Sequence, residues 1–176
     1  MKDDRRASIR LFFALWPDAR IRAALLDARD NAIQCARPTD ADDLLLTCVF
    51  VGVVPPESLP CIEAAGDDIA LAAFHLALHR VETWPRQRLL VAAPAEPPPT
   101  LFNLVSQLQQ NLLPCGIAPE PRRYRPHVTL ARKAARSDPA MVAIQWPVRD
   151  FVLARSGAPG RGNGAGYQVL RSWRLD

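Results

Sequence analysis

Apolar and polar positions along the chain follow two periods. The run IRLFFALWP, residues 9–17, is apolar and aromatic and stops at Pro17, which predicts a buried strand. Asp18 then sits where a helix cap belongs, and Ile21, Leu25, Ala28 and Ala32 recur at helical spacing to about residue 36. DDLLLTCVFVG, residues 42–52, predicts a second strand, closed by Gly52 and the pair Pro55 and Pro56. Residues 56–74 return to helical spacing; Pro60 is tolerated in the first turn and Gly66 weakens the pattern. FHLALHRVETW (74–84) and QRLLVAAP (87–94) alternate, which predicts a hairpin turning at Trp84, Pro85 and Arg86. Residues 96–116 contain a helix with Leu101, Leu104, Leu108 and Leu112 on one face, stopped by Pro114 and Gly116. Strands over 127–133, 145–156 and 167–175 complete the chain. Helices between strands, with hairpins at the end and no tandem repeat, predict an α+β fold.

Length and composition narrow this further. The 176 residues are 49% hydrophobic, enough for one domain with a real core or two small lobes sharing one, and too apolar for a disordered chain. The net charge of +4 favours anionic ligands. Arg122, Arg123, Arg125, Arg132, Lys133 and Arg136 cluster in one short segment, either as a solvated face or as part of an anion site. Cys35, Cys48, Cys61 and Cys115 form no C-x-x-C and no zinc-like spacing with histidine. Buried, reduced thiols and a cytoplasmic protein are therefore expected. The apolar run near the N-terminus is too short to span a membrane and has no cleavage signal. GAPGRGNGAG (157–166) has no following helix and no G-K-[ST] ending, so a hairpin loop is expected rather than a phosphate loop.

The segment YRPHVTLARK, residues 124–133, carries chemistry. Side chains two apart on a strand share a face, so His127 and Thr129 point one way while Val128 and Leu130 pack the other. An imidazole exchanges protons near neutral pH, a hydroxyl donates to an oxyanion, and nearby guanidinium groups hold phosphate. The combination suits metal-free phosphoryl transfer; a surface histidine on an amphipathic strand is the plain alternative.

Four segments in order, RLFFALWPD, the strand LLLTCVFVG, TWPRQRLLVAAP and RRYRPHVTLARK, resemble the two-histidine phosphoesterases. More narrowly they resemble the 2'-5' RNA ligase-like branch, the RNA 2',3'-cyclic phosphodiesterases, from about residue 9 to the C-terminus. The resemblance implies one bilobal domain over residues 1–176, with two lobes related by a pseudo-twofold axis and antiparallel sheets around a central cleft. Each lobe would bring one H-x-[ST] strand to the cleft. Opening a cyclic phosphate requires one group to take a proton from water and another to protonate the leaving oxygen on the opposite side of phosphorus. Two facing strands, each with an imidazole, meet that need.

Carried over residue by residue, the resemblance makes His127 catalytic and Thr47, Thr129 and Arg132 phosphate-binding. Leu45 falls where the first histidine belongs, and it cannot transfer a proton. Val91 stands where relatives have tryptophan, which would remove a base-stacking platform. His75 and His79 are expected on the outer, solvent face of their strand. The resemblance implies a metal-independent hydrolase without cofactors, opening cyclic ends to 2'-phosphates with weak reverse ligation of 2'-5' linkages. Its partner would be RNA or a nucleotide with a 2',3'-cyclic phosphate, with no membrane, and the protein a monomer. A non-catalytic binder of nucleotide or RNA ends is the alternative that Leu45 favours. A third, thinner one is a protein kept for a partner interface, with loop 157–166 as the contact. Whether His127 serves as acid or base is open at this level.

Overall fold

The computed structural model describes residues 8–32, 36–157 and 166–176. Strand β1, Ile9–Leu15, is buried on both sides from Leu11 onward, which is why its sequence is an unbroken apolar run rather than an alternation. Helix α1, Ala19–Ala32, starts where the Asp18 carboxylate accepts the Ile21 N–H at 2.8 Å, and it buries Ile21, Leu25 and Ala28. A short strand β2, Arg37–Pro38, and a 3-10 turn lead into β3, Leu46–Val54. Helix α2 covers only Leu59–Asp67, shorter than the predicted segment 56–74. A side chain at Gly66 would collide with the Trp173 ring, its Cβ lying 2.5 Å from the indole, so this glycine permits close packing.

Strands β4, Phe74–Trp84, and β5, Leu89–Ala93, form the expected hairpin. Helix α3, Pro99–Leu112, buries Leu101, Leu104, Val105, Leu108 and Leu112 and ends near Gly116 in the left-handed region. Next comes β6, Val128–Arg132. The predicted strand 145–156 is in fact two. Strand β7, Ala140–Val148, pairs with β4, whereas β8, Asp150–Ser156, pairs with β1. Strand β9, Gln168–Arg174, closes the fold beside β8. Most of the loop expected over 157–166 lies outside the described residues.

Among the described residues the strands run in the order β7-β4-β5-β6-β3-β1-β8-β9, all neighbours antiparallel, with β2 on β6. The order is symmetric about the β6–β3 junction: four strands form each lobe. Helices cover one face, α1 against β6 and β7, α2 and α3 against β9 and β3. The main core lies between sheet and helices, and a smaller apolar cluster lies on the opposite face.

The cysteines depart from expectation. Cys61 on α2 and Cys115 just after α3 form a disulfide, with Cα atoms 5.8 Å apart. The two helices face each other there, a proximity the sequence spacing of 54 residues does not reveal. Cys48 is free and buried, as expected; Cys35 lies outside the described residues. Among the described residues, no helix is long and apolar enough to cross a membrane.

Candidate active site

The lobes join where Leu46 of β3 pairs antiparallel with Val128 of β6. Both side chains are fully buried in the main core. The residues on either side of such a pair point to the other face. Leu45, Thr47, His127 and Thr129 do so, and all four line one cleft of about 950 Å³ together with Arg132. The local twofold of an antiparallel pair maps Leu45 onto His127 and Thr47 onto Thr129, and it sets Thr47 across from His127. The five residues singled out in the sequence thus come together, from segments about eighty positions apart.

His127 is half-buried and held from several sides. Its Nδ1 lies 2.8 Å from the Arg125 carbonyl, which can only accept, so Nδ1 carries a proton and Nε2 is left as the exchanging nitrogen. The Trp84 ring packs against the imidazole with centroids 4.5 Å apart, and the Arg125 guanidinium covers Trp84 at 4.0 Å. Trp84 is itself fixed by donating Nε1–H to Glu82 at 2.8 Å. Burial lowers the His127 pKa below the ordinary imidazole value; its bond to the Arg125 carbonyl opposes this, and the charges of Arg125 and Arg132 reinforce it. The imidazole is therefore neutral at neutral pH and ready to accept a proton.

The opposite wall is apolar. Leu45 is 8% exposed and clusters with Phe12, Ala14, Val152 and Ala154, with Trp16 and Tyr167 against them. Tyr167 meets the Phe12 ring edge-on at 5.0 Å. Phe50, 70% exposed, also lines the cleft. The polar lining contains three guanidinium groups, Arg10, Arg37 and Arg132, and two carboxylates, Asp40 and Asp43. Arg37 reaches the cleft because β2 lays it beside Arg132.

Val91 is fully buried and pairs with Thr129 on β6, so no stacking surface exists there. The aromatic surfaces of the cleft, Phe12, Phe50 and Tyr167, belong to the other lobe. His75 is exposed on β4, and His79 accepts the Ala95 N–H at 3.3 Å; neither lines the cleft. Among the described residues, no group of three histidine, cysteine, aspartate or glutamate side chains is placed to hold a metal. Sequence reasoning did not single out Tyr124, Tyr167, Arg10 or Arg37. The tyrosines had a weak signal, since each lies beside a basic or glycine-rich segment, and the arginines had none.

Two pseudo-symmetric antiparallel lobes, with a motif strand from each at the floor of a shared cleft, define a two-histidine-type phosphoesterase architecture. Comparison with known proteins agrees. Residues 91–155 match the LigT like Phosphoesterase family. The chain is 31% identical over 172 residues to the RNA 2',3'-cyclic phosphodiesterase of Escherichia coli, covering 94% of this chain and 96% of that one. It is also 31% identical over 181 residues to the enzyme of the same name from Thermus thermophilus, covering 95% and 90%. Escherichia coli LigT complexed with 3'-AMP superposes with a TM-score of 0.85 at 30% identity, over 96% of this chain and 99% of that one. This chain belongs to the LigT-like phosphoesterase family.

Proposed function

We propose that the cleft opens RNA 2',3'-cyclic phosphate ends to 2'-phosphates. The observation that carries this is the placement of His127 and Thr129 against Thr47 around the Leu46–Val128 pair, with Arg132 on the same cleft. In this reading His127 exchanges a proton with the attacking water or the leaving oxygen. Thr47, Thr129 and Arg132 hold the non-bridging oxygens, and the charge developing in the transition state falls on them. Phe50, on the opposite lobe, is a face on which a base can stack. The names of the two relatives support the substrate class. The reading takes the chain as a single bilobal, monomeric domain acting on RNA in the cytoplasm, although Cys61 and Cys115 are oxidised in the structure.

Purified protein in EDTA, offered a 2',3'-cyclic nucleotide, should yield the 2'-phosphate, seen by phosphorus NMR, and His127→Ala should abolish that yield while remaining folded. A second reading, a binder of nucleotide or RNA ends without turnover, is favoured by one observation: Leu45 presents aliphatic surface at the position symmetric to His127. Nucleotide binding without hydrolysis would select it.

A further inference from the structure

A single imidazole cannot serve both sides of an in-line displacement, because the attacking and leaving oxygens lie on opposite sides of phosphorus. Leu45 supplies nothing on the second side. Among the described residues around that wall, few groups can give up a proton. A guanidinium does not release its proton, and an ionised carboxylate has none to give. Ser156 and Thr47 have hydroxyls far too weakly acidic for the task. Tyr167 is different. Its ring lies in the cluster that contains Leu45, against Phe12, and it lines the cleft.

We propose that Tyr167 is the general acid of this cleft, taking the place that a second histidine would occupy beside Leu45. The inference rests on the cyclic phosphodiesterase reading above. Tyr167, His127 and Arg132 line the same cleft, with Tyr167 packed on the Leu45 cluster and His127 on the other motif strand, so the two groups approach an anion at Arg132 from different walls. Burial, and then the Asp43 carboxylate, raise the Tyr167 pKa above its usual value, with Arg132 opposing. The phenol therefore holds its proton at neutral pH, complementary to an imidazole that lacks one.

The step balances. Water oxygen bonds to phosphorus while His127 Nε2 takes the water proton. The bond from phosphorus to O3' breaks, and the Tyr167 hydroxyl proton goes to O3'. The ribose 2'-phosphate results. The tyrosinate, disfavoured beside Asp43, regains a proton through solvent from the imidazolium.

Tyr167→Phe keeps the ring and removes the proton. It should lower kcat by about 10²–10³-fold with KM changed little. A cycle with Leu45→His separates an acid from a merely structural tyrosine. Leu45→His restores an imidazole on that wall, so in its presence Tyr167→Phe should cost less than about threefold. A Tyr167→Phe variant as active as the parent overturns the inference and leaves the function standing. So does an undiminished loss in the Leu45→His background. If the parent is inert but Leu45→His is active, Tyr167 is not the acid and the cleft is still a phosphodiesterase site. If both are inert, the function itself falls.

Discussion

The Tyr124 hydroxyl donates to the Thr47 carbonyl across 2.9 Å. This bond ties the segment leading to His127 to the opposing motif strand, 77 positions away in sequence. The phenol is largely buried, and burial raises its pKa well above the usual value, with neighbouring Cys48 adding to the effect. It remains a donor at any working pH. Tyr124→Phe removes this hydrogen bond, which costs about 0.5–1.5 kcal/mol. Thermal unfolding should show the loss. Turnover should fall as well, because the spacing between Thr47 and His127 loosens. A variant as stable and as active as the parent would show that the lobes are held by packing alone.

The pH dependence of kcat/KM should have an acidic limb set by His127. A base must be neutral, so the rate rises with pH through the His127 pKa. Burial, with the Arg125 and Arg132 charges, places that limb below the usual value of about 6.5. Trp84→Ala admits water to the ring, so the limb should move up toward that value. A limb at or above it in the parent would show that the imidazole is solvated.

Arg132 should contribute binding more than structure, since its side chain is exposed on the cleft. Arg132→Ala should weaken binding of inorganic phosphate roughly 10–100-fold, measured by calorimetry, without altering thermal stability. Arg132→Lys should restore only part, because an ammonium lacks the planar fork. Unchanged phosphate affinity in Arg132→Ala would move the anion site elsewhere in the cleft.

The Cys61–Cys115 bond joins two helices on the core side of the sheet, away from the cleft. Replacing both cysteines with serine should cost about 2–4 kcal/mol and lower Tm by roughly 5–15 °C. Turnover per folded molecule at 25 °C should be unchanged. A parent protein that already carries two titratable thiols here would mean the bond does not form in the native chain.

Much of this architecture was legible in the chain. The apolar run of β1, the Asp18 cap and the leucine face of α3 are local patterns set by side-chain period and capping, and they fold as expected. The shared face of His127 and Thr129 follows from strand geometry alone. Residues 140–156 were less legible: the division at Arg149 sends one half to β4 and the other to β1, and no local signal marks it. The disulfide was hidden for the same reason, as its two helices meet only through the core.

By itself the sequence determined the class of fold, the two motif strands and which of their residues share a face, because these depend on interactions within a few positions. Only the tertiary structure decided that Leu46 and Val128 pair, that the flanking side chains open into one cleft, and that Tyr167 packs against the small cluster that contains Leu45. Those are long-range pairings, selected by burial of the whole sheet against its helices, and no local pattern encodes the partner.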